Sequence, residues 1–226
     1  MKVISLFGYL KFRLMSCLRR WVRVTKYRLA GATLQPGIQI AKGVKIHPSV
    51  QIGSHAILGE GIVLGIGVRI GSHAALSRIE VGENSCIESR VICTGFGSGR
   101  IKIGRESYIG IANVLDWSDD ITIGDYVHIA GLSTGLWTHS SARMSLDGIP
   151  LADKDKTHRP TAPIIIEDHV YIGGNCTIYP GVIIGHHSVI APNSAVTKSI
   201  ESYSMVGGVP AISIKRINRN QSDIKR

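Results

Sequence analysis

An aliphatic residue stands at every sixth position over most of this chain, and that spacing constrains the fold more than any other feature. Ile40, Ile46, Ile52, Leu58, Leu64, Ile70 and Leu76 follow at strict intervals of six. After one short step the series resumes at Val81, Ile87 and Cys93, then runs through Ile103, Ile109, Leu115, Ile123 and Ile129. It closes with Ile166, Ile172, Ile178, Ile184, Ile190 and Val196. An amphipathic helix repeats every 3.6 residues and a half-buried strand every two. A period of six fits neither alone. It fits a short strand plus a corner, three of which close a triangular coil.

The positions between the anchors agree. Four residues after an anchor come Val44, Val50, Ala56, Ile62, Val68, Ala74, Ser85, Val91, Val170, Cys176 and Val182, small or β-branched as a narrow interior requires. Three after an anchor come Gly43, His55, Gly61, Gly67, His73, Asn84, His169, Asn175, Gly181, His187 and Asn193. Gly, Asn and His tolerate positive φ, which marks these as corners. Strands on one side then stack on their equivalents at about 4.8 Å in parallel ladders. The 26 glycines and 6% aromatic content suit such thin aliphatic layers. The expected organisation is an N-terminal basic helix over 1–34, a solenoid of roughly seven coils over 35–212, and a basic tail over 213–226.

Regular coils leave little room for chemistry, so the interruptions matter most. "TGFGSGR", Thr94 to Arg100, is glycine-rich but lacks a phosphate-loop continuation and reads as a turn. "ANVLDWSDD" places Asn113 and Asp116 before the next coil, either as site residues or as a polar loop. The longest excursion, Thr134 to Pro163, holds Trp137, His139, Arg143 and His158; a loop this long in a compact domain is usually functional or disordered. The exit is "VTKSIESYSMVGGVPAISIKRI". The pairs His55/His73 and His169/His187 are each eighteen apart, which reads as stacked corners; no metal site is expected.

In order, "ITIGDYVHIA", the His-bearing loop, the proline-introduced restart, "IYPGVIIG", "VTK" and "GGVPA" resemble the hexapeptide-repeat acyltransferases, in particular their sugar and polysaccharide O-acetyltransferases. The resemblance covers about Ile40 to Pro210 and implies an all-β solenoid, a left-handed parallel β-helix with an N-terminal helix and an extruded catalytic loop. It implies acetyl-CoA as acyl donor, a homotrimer, and a sugar or polysaccharide-precursor acceptor. By resemblance His139 is the catalytic base and Asn113 lines the acceptor side; Asp116, Trp137, Arg143 and His158 are further acceptor-binding candidates from their place in the interruptions. Gly173, Gly174, Val196, Thr197 and Lys198 match positions that line the acyl-CoA channel; Ala191 is a further candidate there, and Lys198, Lys215 and Arg216 are candidates for the CoA phosphates. Pro192 departs from the small residue common there, and His158 has no assigned counterpart. An amino-sugar N-acetyltransferase and a non-catalytic scaffold at a membrane remain as alternatives.

The chemistry stands without the resemblance. A sugar hydroxyl is a weak nucleophile, and an imidazole with a pKa near 6.5 can take its proton as the oxygen attacks a thioester. A thiolate leaves readily, so no covalent enzyme intermediate is needed.

Net charge is +10, and the first thirty residues hold eight Lys or Arg with no Asp or Glu. Val3, Phe7, Leu10, Leu14, Leu18 and Trp21 follow helical spacing, with Arg19, Arg20, Arg23 and Lys26 expected on the other side. Such a helix could lie on an anionic membrane surface or cap the first coil. It matches no nucleic-acid-binding motif, and no such partner is expected. The run Val3 to Leu10 is too short for a convincing signal peptide, and no apolar stretch is long enough to span a bilayer. Four cysteines without C-x-x-C spacing suggest a reducing compartment. The expected location is the cytoplasm, with peripheral contact at the inner membrane face as one reading.

Overall fold

The structure, a computed structural model, describes residue 18, residues 21–153 and residues 155–218. Strands β1 (Thr33–Leu34), β2 (Gln39–Ile40) and β3 (Lys45–Ile46) open three faces, here A, B and C. The chain visits the faces in that order through β23 (Ala195–Val196), and every successive pair of strands within a face is parallel until the last on face A. The product is a left-handed parallel β-helix. Face B holds 8 strands, so the described residues make about one coil more than the anchor count suggested. The series was underestimated because β1 precedes the first anchor and the interruptions conceal coils that remain in register.

Ladder pairing explains the period. Ile40 pairs with Leu58 and Ile52 with Ile70, one triangular turn apart. The anchors point inward and are almost all buried, and the interior positions from Val44 to Val182 are buried with them. The corner residues have positive φ: 59° at His55, 59° at His73, 55° at Asn84 and 57° at Asn175. His55 and His73 stack with ring centroids 5.1 Å apart, as corners one turn apart should.

The pairing step lengthens in the middle of the chain while the ladders stay intact. Ile101 pairs with Ile79, Ile121 with Ile101, and Ile164 with Ile121. Apart from one residue between Ile129 and Leu136, the extra residues leave the coil between faces B and C. "ANVLDWSDD" is therefore a coil plus a short excursion, not a free polar loop: β14 (Val114–Asp116) is a face B strand.

At the open end, α1 (residues 21–29) lies across the first coil, with Val24 and Tyr27 packed on the core. Arg23 Nε donates to the Ile40 carbonyl at 2.6 Å, Tyr27 Oη donates to that of Val44, and Arg28 Nη2 donates to that of Leu34 at 2.8 Å. Among the described residues no further coil stacks below that one, and these side chains satisfy carbonyls that such a coil would otherwise bond. Arg23 thus faces the solenoid, not the solvent side expected, while Leu18 and Trp21 are exposed. Lys2, Val3, Phe7, Leu10, Leu14, Cys17, Arg19 and Arg20 lie outside the described residues. At the other end, β24 (Ser204–Gly207) turns back into β25 (Ile212–Arg216), an antiparallel strand where a tail was expected to begin. Among the described residues no helix is long and apolar enough to cross a membrane.

Candidate active site

Three consecutive coils bulge at the same corner, and the bulges stack. Residues 94–100 leave the coil first, 116–120 second and 137–163 third. Gly97 lies so close to the second bulge that a Cβ would fall 1.8 Å from the Ser118 carbonyl oxygen, so only glycine permits this stacking. The first bulge delivers Phe96, the second Asp116 and Ser118, and the third His139.

Asp116 is fully buried. Its Oδ1 accepts the Ser118 hydroxyl at 2.6 Å and the Ser118 N–H at 3.0 Å. Its Oδ2 accepts the Thr138 N–H at 3.0 Å and His139 Nδ1 at 2.5 Å. Burial alone would raise the carboxyl's pKa, but hydrogen bonds from Ser118 and His139 outweigh it and hold the group below the ordinary carboxylate value. An ionised carboxylate only accepts, so the proton of the neutral imidazole sits on Nδ1 and Nε2 carries the lone pair. Phe96 meets the imidazole edge-on, centroids 4.8 Å apart. The ring is held on two sides, and among the described residues Nε2 has no hydrogen-bond partner. An imidazole so held can take a proton at Nε2 and share the resulting charge with Asp116.

His139 lines an open cavity of about 310 Å3 with Phe96, Ser141, Met144, Ser145, Ile149, Leu151 and Arg159. The excursion folds back on itself to make it. His139 bridges Thr161, and Ser140 N–H bonds the Pro160 carbonyl at 3.2 Å. The short helix α2 (Ala142–Leu146) turns its buried Met144 inward.

The other expected acceptor residues lie elsewhere. Asn113 occupies an interior position, fully buried, donating to the Gly110 carbonyl and accepting the Thr134 N–H. It cannot face an acceptor, because its amide completes the hydrogen bonding of a coil corner. Asp116 likewise touches His139 rather than the cavity. The Trp137 indole lies over Gly135, where a Cβ would fall 2.3 Å from Nε1. Arg143 is exposed and pairs with Asp147 along α2 at 3.1 Å. His158 Nδ1 donates to Asp153 Oδ2 at 2.6 Å, a second half-buried His–Asp pair, but it does not line the cavity. The His158 hydrogen bond lowers the pKa of Asp153 in turn.

The expected cofactor positions fall on both edges of face B, in the coils after His139. Gly173, Gly174 and Ala191 are at the corner entering the face; a Cβ on Gly173 would fall 2.6 Å from Pro192 N, so coil stacking already requires glycine there. Thr197 and Lys198 are exposed at the corner leaving it, two turns along the ladder from Leu136 through Ile178 to Val196. Lys215 is exposed on β25, and Arg216 pairs with Glu201 at 2.9 Å. Among the described residues these positions are spread over two corners of face B and β25, and none of them lines the cavity beside His139. No group of three or more His, Cys, Asp or Glu that could hold a metal occurs among the described residues. Phe96, Ser118, Thr138 and Arg159 escaped the sequence reading; the lone aromatic in a glycine bulge was the one signal available.

Residues 163–198 match the family described as bacterial transferase hexapeptide (six repeats). WbbJ of Escherichia coli (strain K12), a putative lipopolysaccharide biosynthesis O-acetyl transferase, is 30% identical over 162 residues, 59% of this chain and 81% of that protein. This chain belongs to the hexapeptide-repeat acyltransferase family. A second family member, the galactoside O-acetyltransferase of the same organism, is 35% identical over 140 residues, 61% of this chain and 64% of that protein. Among solved structures of the family, a point variant of AntD, an N-acyltransferase from Bacillus cereus in complex with dTDP-4-amino-4,6-dideoxyglucose and coenzyme A, superposes with a TM-score of 0.59. The two are 25% identical, over 69% of this chain and 83% of that one. The protein is an acyltransferase.

Proposed function

We propose that this acyltransferase moves an acetyl group from acetyl-CoA to a sugar hydroxyl, with His139 as general base, in the assembly of a surface polysaccharide. One observation carries the reading: an imidazole fixed through Nδ1 to a buried carboxylate, with Nε2 unpartnered among the described residues, lining an open cavity of about 310 Å3. The acceptor O–H gives its proton to Nε2 as its oxygen bonds to the thioester carbonyl carbon. The tetrahedral oxyanion collapses, the C–S bond breaks, and the CoA thiolate takes the proton back from Nε2. Asp116 touches neither substrate; it fixes the tautomer and offsets the imidazolium charge.

CoA is placed along face B, with Gly173, Gly174 and Ala191 beside the pantetheine and Thr197, Lys198 and Lys215 toward the phosphates. Because these residues are spread over two corners of face B and β25, the second wall is assigned to a neighbouring copy in a homotrimer. A cytoplasmic location follows from the need for acetyl-CoA. Exposed Leu18 and Trp21 leave peripheral membrane contact compatible with the capping role of α1.

An N-acyl product is the second reading, favoured by the likeness to AntD, an amino-sugar-bound N-acyltransferase. The O-acetyl reading leads because both sequence relatives carry that name. Incubating the protein with acetyl-CoA and matched hydroxy and amino sugars, then treating the products with neutral hydroxylamine, decides between them. An ester is cleaved and an amide survives; a hydroxylamine-stable product would overturn the O-acetyl reading.

A further inference from the structure

The cavity beside His139 holds one cation, and its position is unusual. Arg159 is half-buried, with Nε 2.7 Å from Met144 Sδ and Nη2 donating to the Leu151 carbonyl at 3.2 Å. Its guanidinium lies over the Phe96 ring, 5.6 Å from the centroid. Among the described residues no carboxylate pairs with it. In the same excursion Arg143 pairs with Asp147, His158 with Asp153, and His139 with Asp116.

A guanidinium has five N–H donors, and two are used here, on a thioether and a carbonyl that leave its charge uncompensated. Those two contacts and the aromatic face fix its plane, so the remaining donors form an oriented fork. Such a fork suits a carboxylate or phosphate, which it binds through two parallel hydrogen bonds. Phe96 touches both this group and the His139 imidazole, so the fork and the base are one phenyl ring apart. The rest of the lining, Ser141, Met144, Ser145, Ile149 and Leu151, offers an anion no competing charge.

We propose that Arg159 and Phe96 form a subsite for an anionic group on the acceptor, so that the preferred sugar carries a carboxylate or a phosphate. The anion docks on Arg159 and turns a hydroxyl of the same sugar toward Nε2 of His139. The subsite rests on the acyl-transfer reading for its purpose, but it can be tested without turnover.

The experiment titrates the full-length protein with methyl α-D-glucuronoside, glucose 1-phosphate and methyl α-D-glucoside while following the His139 ring proton by NMR. Both anionic sugars, or one of them, should shift it at concentrations where the neutral glucoside does not, and R159M should abolish the shift. Which anion acts identifies the source: an acidic sugar for the carboxylate, a phosphate-linked sugar for the phosphate. In turnover, R159M should lower kcat/KM for the effective anionic acceptor about 10- to 100-fold, the range expected for a lost hydrogen bond to a charged group. The neutral acceptor should change by less than about threefold, and R159K should recover part of the loss. Equal shifts by neutral and anionic sugars, or equal losses on both acceptors in R159M, would overturn the subsite; the second would mark Arg159 as a strut of the loop. A preserved anion-dependent shift without any acetyl transfer would instead sink the proposed activity and leave the subsite standing.

Discussion

Asp116→Asn isolates what the buried carboxylate does. The side chains are nearly the same size, so the coil keeps its shape, but one acceptor oxygen becomes an NH2 donor. In the wild type five donors converge on this group: the Ser118 hydroxyl and N–H, the Thr138 N–H and hydroxyl, and His139 Nδ1. An asparagine that keeps its oxygen on the Ser118 side presents its NH2 to Nδ1, and the imidazole must then carry its proton on Nε2. That tautomer cannot accept a proton from the sugar. The charge-assisted bond that stabilises the imidazolium disappears as well, at about 1.5–3 kcal/mol, which is roughly 10- to 150-fold in rate. With the tautomer effect added, kcat should fall about 10²- to 10⁴-fold. The Thr138 N–H loses its acceptor inside the protein, at about 1–3 kcal/mol of stability. Steady-state kinetics with acetyl-CoA and a sugar acceptor, beside isothermal titration of acetyl-CoA, reads both halves. The KM and Kd for acetyl-CoA should stay close to wild type. A kcat within threefold of wild type would refute the tautomer argument, and a lost acetyl-CoA affinity would show that Asp116 acts through the fold.

Further consequences can be measured on the same footing. The fold favours the ionised form of Asp116, so its contribution to stability is complete above the ordinary carboxylate pKa of about 4 and is lost as pH falls through its lower folded value. Thermal melts from pH 6 to 3 should therefore show less acid destabilisation in Asp116→Asn than in wild type; parallel curves would contradict this. Gly97→Ala drives a Cβ into the Ser118 carbonyl and should cost about 1–3 kcal/mol, a Tm drop of roughly 2–12 °C at this chain length, with kcat falling as Ser118 and Asp116 shift. Tyr27→Phe frees the Val44 carbonyl under the first coil and should cost about 1 kcal/mol in urea unfolding without touching kcat. Lys198→Ala should raise the KM for acetyl-CoA about fivefold and leave the acceptor KM alone; no change in either would remove it from the cofactor path.

Nearly the whole solenoid was legible because its rule is steric and local. Each anchor, interior and corner position demands a residue type, and Ile40, Val44 and Gly43 already satisfy all three. The candidate site was legible in outline for the opposite reason: side chains free of the rule gather where it fails, and two of the three interruptions, 112–120 and 134–163, were singled out for that reason, while Thr94 to Arg100 read as a turn. What the spacing could not convey is that the interruptions share one corner in successive coils. That depends on which face each coil has reached, and one lost residue between Leu76 and Val81 blurs the phase. Asp116 therefore looked like a loop residue beside an acceptor rather than the partner of a histidine twenty-three positions later. Asn113 looked exposed because a polar residue at an interior position breaks the expected pattern, although its amide is satisfied by Gly110 and Thr134. Arg159 and Phe96 were hidden more deeply, since only the folded excursion brings residue 159 over residue 96.

The measurement that bears most directly on the central claim is the turnover of His139→Asn beside wild type, with acetyl-CoA binding determined on both proteins. If Nε2 of His139 takes the proton of the acceptor hydroxyl, kcat should drop about 10²- to 10⁴-fold while the Kd for acetyl-CoA stays within twofold. His158→Asn, at the loop's other His–Asp pair, should retain most of its activity. A His139→Asn enzyme that turns over near the wild-type rate, or a His158→Asn enzyme that does not turn over, would contradict the account.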